Sequence, residues 1–159
     1  MKIAQIVKLI GAIAFCELVG IAGSIFTFPS IPTWYASINK APFNPPSFIF
    51  GPSWTILYLL MGVSLYLVWD KVMKKKKTKL PLIVFFIQLF LNFLWSIIFF
   101  GLHLQLYAFF DIGLLWLAIL VTIIAFWKLS KTASMILLPY LLWVSFASVL
   151  NFFVVILNP

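Results

Sequence analysis

A few polar side chains lie inside long apolar runs of this chain: Glu17, Gln88, Asn92, Asp111 and Asn151, in company with seven tryptophans. Their chemistry is limited by type. One cysteine, Cys16, excludes an internal disulfide and a Cys-built metal site, and His103 stands alone in a turn without a second histidine. No metal triad, nucleophile–base pair or nucleotide loop is present. What remains is recognition chemistry. Carboxamides and hydroxyls orient a ligand, and indole and phenol rings stack on it. In hydrocarbon such groups are costly and face a bundle interior or a cavity.

The elements that must position them follow from composition. Of 159 residues, 65% are hydrophobic and 9% charged, where a soluble domain carries about 25% charge. Spanning a bilayer as a helix takes about 20 mostly apolar residues, and five such stretches are visible, at about 4–28, 51–70, 80–100, 105–127 and 133–157. The expectation is an all-α integral membrane bundle of five transmembrane helices, forming one domain over 1–159. Lys2 and Lys8 ahead of an apolar run resemble a signal peptide, but the run is long and four more spans follow, so it reads as the first helix.

All eleven basic residues are lysines, and with five spans ten of them fall on one side of the membrane, leaving Lys40 on the other. This bias predicts a cytoplasmic N-terminus and an outside C-terminus, and a bacterial cytoplasmic membrane suits it. The run KKKK at 74–77 reads as a topology determinant with some attraction to anionic lipid. No basic fold surrounds it, so nucleic acid is not expected as a partner.

The connector over 29–50 is the only long one. It holds Pro29, Pro32, Pro42, Pro45 and Pro46, which fix φ and restrict their predecessors, together with Trp34, Tyr35, Phe43, Phe48 and Phe50. Disordered segments are poor in aromatics, so this connector is expected to be ordered, with little helix, and to roof a pocket. Pro52 suits the first turn of the second span. In the first span Ala12, Cys16, Gly20 and Ser24 recur every four residues. This small-residue stripe admits a close neighbour, either a second copy or another helix of the same bundle.

Depth, counted at about 1.5 Å per residue, gathers the polar positions. Trp54 lies just inside the outer surface with Tyr58 one turn below. Asn92 lies past the middle of the third span, one turn outward of Gln88. Tyr107 lies near the outer surface and Asp111 roughly 9 Å down. Tyr140, Trp143, Ala147 and Asn151 share one face of the last span. All collect in the outer half beneath the connector, as a site for a large flat hydrophobic ligand would require. Asn92 and Gln88 also suit hydrogen bonds between helices, and Asp111 suits the same in its protonated form. Trp69, Trp95, Trp116 and Trp127 read as packing or interfacial-belt residues. Glu17 has no evident ionic partner at its depth.

The segments WYASINKAPFNPPSFIFGPSWTILYLLMG (34–62), QLFLNFLWSIIFF (88–100) and LLPYLLWVSFASVLN (137–151) strongly resemble the translocator protein family, also called tryptophan-rich sensory proteins. The resemblance implies a five-helix membrane bundle, commonly a homodimer. It implies binding of porphyrins and, in animal members, of cholesterol and benzodiazepine-type ligands in a pocket below the first connector. Tyr35, Trp54, Asn92, Trp143 and Ala147 are the ligand contacts it implies; depth adds Tyr58, Tyr107, Asp111 and Asn151. In some bacterial members tryptophans at the positions of Trp54 and Trp143 are implicated in light-dependent oxidative breakdown of protoporphyrin, so these two are the catalytic candidates if that activity is present. No cofactor is implied; the expected partners are a porphyrin or similar molecule, membrane lipid and a second copy. The sterol pattern of animal members is missing from the last span, which reads VLNFFVVILNP; a weak match, Val63, Tyr66 and Lys71, occurs in the second. Three function classes remain: a tetrapyrrole-binding protein for sensing, transport or turnover, a photo-oxidative enzyme, and a scaffold.

Overall fold

In lipid every backbone N–H and C=O must be bonded within the chain, so apolar runs of this length become helices. The computed structural model describes residues 3–74 and 79–159 and follows that rule. Helix α1 (Ile3–Ser30) is followed by a four-residue helix α2 (Trp34–Ser37) and a 3₁₀ turn, Ser47–Ile49, within the connector. Then come α3 (Phe50–Lys74), α4 (Leu80–Ser96) continued by a π turn over Ile97–Gly101, α5 (Gln105–Trp127), α6 (Lys131–Ile136) and α7 (Leu138–Leu157). Among the described residues five helical stretches are long and apolar enough to cross a membrane, the last being α6 and α7 together. The break between them has a local cause. Pro139 in the first turn of α7 has no N–H to return to the preceding turn. The lysine run at 74–77 falls on side chains outside the described residues.

The helices form a ring in which α1 packs on α3 and α4, α4 on α5, α5 on α7, and α3 on α6. Small residues set the closest approach. A Cβ on Gly62 would stand 2.5 Å from the Cα of Ile13, and one on Gly20 would stand 2.5 Å from the Tyr58 ring. The small-residue stripe of α1 is therefore spent on α3 of the same chain, and Cys16 within it is fully buried. Inter-helix hydrogen bonds reinforce the ring: Ser64 Oγ donates to the Ala133 carbonyl and Ser134 Oγ to that of Ile123, each at 2.8 Å.

The connector is tied down at both flanks. Asn158 accepts from the Asn39 N–H at 2.9 Å and donates to the Asn39 carbonyl at 2.9 Å, fixing the connector to the end of α7. Phe43 packs edge-on against Phe153 of that helix. On the other flank Trp34 stacks on His103 at 4.3 Å and meets Phe99 edge-on. His103, expected to be a solvated turn residue, is exposed, holds a positive φ of 57°, and supports the connector through that stack. Tyr35 is buried, donates to Asn44 Oδ1 at 3.0 Å, and carries the Lys40 ammonium over its ring. Lys40 in turn bonds the carbonyls of Tyr35 and Ile38, closing the turn on itself.

Candidate functional site

At the connector end the ring opens. Here α3 and α7 touch through large aromatic side chains rather than backbone: Trp54 meets Trp143 edge-to-face at 6.4 Å and Tyr140 at the same distance. The space those rings hold open is a cavity of about 520 Å³, within the range of small-molecule sites. Its α3 wall is Phe50, Trp54 and Tyr58, and its α7 wall is Trp143, Ala147 and Asn151. From α4 and the π turn come Asn92, Trp95, Phe99 and Phe100, and from α1 Glu17, Gly20, Ser24 and Thr27. Tyr35, Ser47 and Phe48 of the connector cover it. The π turn matters locally: its wider winding sets Phe99 and Phe100 beside Trp95, which stacks on Phe99 at 4.9 Å.

A chain of hydrogen bonds makes the floor. Tyr58 donates to Asn92 Oδ1 at 2.7 Å, Asn92 Nδ2 donates to Tyr140 at 2.6 Å, and Tyr140 donates to Gln88 Oε1 at 2.8 Å. All four side chains are buried, so α3, α4 and α7 are locked in register at one depth. Higher up, Asn151 accepts from the Trp95 indole at 3.0 Å and donates to the Gln105 carbonyl at 3.0 Å. Asn92 and Asn151 thus both join helices and face the cavity. Among the described residues the indole N–H of Trp143 is buried without a partner. Outside the spans, burial pushes the Tyr35 phenol above its ordinary range, and its bond to Asn44 opposes that rise.

Of the nine positions expected to contact a ligand, the cavity wall holds Tyr35, Trp54, Tyr58, Asn92, Trp143, Ala147 and Asn151. Tyr107 and Asp111 are not part of that wall. Both belong to α5, which packs on α4, α6 and α7 and gives the cavity no side chain. Tyr107 is 65% exposed on the outer surface of the bundle. Asp111 is buried, and among the described residues one of its carboxyl oxygens has no hydrogen-bond partner. Depth fixes a residue's height along a helix but not its direction around the helix axis. Trp95, taken as a packing residue, lines the cavity as well as packing. Trp116 bonds Ser145 at 2.8 Å, while Trp69 and Trp127 are exposed. Glu17 faces the cavity from α1, which its spacing shows: it is three residues from Gly20 and seven from Ser24, on the face turned to α3.

The side of the cavity between α1 and α3 is not sealed. Ile21, Phe28, Phe48 and Thr55 line it and are exposed on the outside of the bundle.

A family model described as TspO/MBR family matches residues 12–157. The tryptophan-rich protein TspO of Archaeoglobus fulgidus is 47% identical over 97% of this chain and 99% of its own. The protein of the same description from Chlorobaculum tepidum is 45% identical over 98% of each. The human translocator protein is 37% identical over 82% of this chain and 78% of its own.

Proposed function

The chain belongs to the TspO/MBR family, and from that membership and the cavity we propose that it is a membrane receptor for tetrapyrroles of the protoporphyrin kind and related flat hydrophobic ligands, acting in their sensing, transport or turnover. The observation that carries the proposal is the cavity wall: Trp54, Tyr58, Trp95 and Trp143 supply ring faces and edges, and only a few polar atoms interrupt them. A flat conjugated ring gains area and offset stacking against such a wall. Asn92, Ser24 and Glu17 are placed to orient polar substituents. Lateral entry between α1 and α3 suits a ligand that partitions into lipid.

The proposal includes an orientation and a partner. By the lysine bias the N-terminus is cytoplasmic, with the connector and cavity on the outer side of a cytoplasmic membrane. A homodimer is part of the family expectation. Its contact surface lies elsewhere than the small-residue stripe of α1, and a strictly monomeric protein in lipid nanodiscs withdraws that part.

The test is an absorbance and fluorescence titration with protoporphyrin in the dark. Saturable quenching of tryptophan emission is expected, weakened in Trp143→Ala and in Asn92→Ala. Unchanged affinity in both variants overturns the reading.

The perpendicular pair Trp54–Trp143 favours a second reading, light-dependent oxidation of the bound porphyrin. The excited ring and dioxygen would supply the chemistry, with an oxidisable indole in contact. Trp54→Phe combined with Trp143→Phe then abolishes product under illumination while binding persists. An illuminated complex that yields no new spectral species removes this reading and leaves the first intact.

A further inference from the structure

Among the described residues the wall of the main cavity carries one carboxyl, Glu17 of α1, and no Lys, Arg or His side chain. Glu17 is partly buried within a span, and among the described residues it forms no hydrogen bond or ion pair. We propose that Glu17 sets the ligand preference of the cavity, pairing with a protonated amine carried on a flat hydrophobic ring and disfavouring ligands that bring carboxylates to the α1 wall. The inference rests on the receptor reading above and adds the charge of the ligand to it.

A carboxyl in a span is costly unless it is paired or faces a cavity, and the fold supplies Glu17 with no partner. The side chains one turn away on α1, Ile13, Ala14, Gly20 and Ile21, hold no donor. Every hydroxyl that α1 and α3 bring to the wall already donates elsewhere. Ser24, Thr27 and Thr55 bond backbone carbonyls of their own helices. Tyr58, whose ring closes on Gly20, gives its proton to Asn92 at 2.7 Å. The α1 ammonium of Lys8 is about 13.5 Å away along the helix axis and lies 2.8 Å from Asp70. The α1 side of the cavity therefore presents acceptor capacity and negative charge with nothing of its own to satisfy them.

An ammonium is the complement of that wall. It brings both charge and N–H donors, and a charge-assisted bond is shorter and stronger than a neutral one. The ring faces of Trp54 and Tyr58 in the same wall favour a cation as well. A carboxylate meets the opposite conditions, a like charge and no cation to pair with. The indole N–H of Trp143, left over on the α7 wall, suits a neutral carbonyl on the ligand. The carboxylate edge of a bound protoporphyrin accordingly turns away from α1.

The experiment titrates the full chain in nanodiscs, in the dark, with three porphyrins of one ring: protoporphyrin, its dimethyl ester, and its bis-amide ending in primary amines. Tryptophan quenching gives each Kd, corrected for partition into empty nanodiscs. Wild type should bind the amine about fivefold tighter than the ester, and the diacid about fivefold more weakly than the ester, the upper end for a partly exposed charge contact. Glu17→Gln should bring the three affinities within about twofold of one another. Equal affinities in wild type, a preference for the diacid, or an order that survives Glu17→Gln each overturn the inference and leave the receptor reading intact. Loss of all three porphyrins in Glu17→Gln does the same, because it assigns Glu17 to the fold rather than to selectivity. A wild-type protein that binds none of the three overturns both.

Discussion

Replacing Asn92 by alanine tests whether the floor of the main cavity is a connected network. The change removes the acceptor of the Tyr58 hydroxyl and one of the two partners of Tyr140, which keeps Gln88. Tyr58 is left as a buried hydroxyl without an acceptor, at a cost of about 1–3 kcal/mol. Hydrogen bonds between helices in bilayers average nearer 0.6 kcal/mol, so the total for Asn92→Ala should be about 2 kcal/mol. Tyr58→Phe alone loses one bond and leaves the carbonyl oxygen of Asn92, a residue of the cavity wall, so about 1 kcal/mol is expected. The double variant has no orphaned hydroxyl and should be less destabilised than the sum by about 1 kcal/mol. The assay is reversible unfolding in mixed micelles with rising dodecyl sulfate, followed by far-ultraviolet circular dichroism. Additivity of the two changes within about 0.3–0.5 kcal/mol refutes the network. Trp54 packs on both Tyr58 and Tyr140, so the same variants should also weaken protoporphyrin binding.

Further outcomes are expected elsewhere in the bundle. Gly62→Ala drives a methyl into the Ile13 backbone and should cost about 1–3 kcal/mol, whereas Gly113→Ala, with open space around it, should gain about 0.5–1 kcal/mol; the same unfolding assay reads both. Asn158→Ala removes the side-chain bonds to Asn39 and should speed amide hydrogen exchange over residues 31–46 without changing the helices; unchanged exchange there counts against the clamp. Burial raises the Tyr35 phenol above the usual value of about 10. The neutral form is therefore favoured by the fold, and its contribution is intact below that pH and fades as pH rises past it. Ultraviolet titration of wild type against Tyr35→Phe should show this phenolate only above pH of about 10, and its appearance below that value contradicts the burial.

What the sequence discloses about this site depends on the kind of information each position needs. Trp54, Asn92 and Trp143 were legible because motif and depth agree, and depth follows directly from a constant rise per residue. Ala147 and Asn151 follow from Trp143 by helical spacing along one face of α7. Tyr107 and Asp111 were placed by depth alone, and the cavity wall does not include them. Direction depends on which helices α5 packs against, and that is a tertiary fact. The α1 stripe shows the same gap: spacing announces a close contact, but only packing shows that Tyr58 and Gly62 fill it. Glu17 stands out as a carboxyl in a span, and its spacing to Gly20 and Ser24 puts it on the α1 face that lines the cavity. The stack of Trp34 on His103 joins residues 69 apart in sequence, with no local signal to announce it. The roofing role of the connector was readable from prolines and aromatics together, whereas its anchoring through Asn39 and Asn158 was not.

The cavity itself can be probed by one pair of substitutions on α7. Ala147 faces it and is 8% exposed, while Leu142, on the same helix, is 70% exposed toward lipid. Protoporphyrin absorbance titrations of Ala147→Trp and Leu142→Trp add the same indole inside and outside. Loss of the saturable spectral shift in the first, with wild-type behaviour in the second, is the expected result. Equal binding by both variants would place the ligand elsewhere and end the case for this cavity.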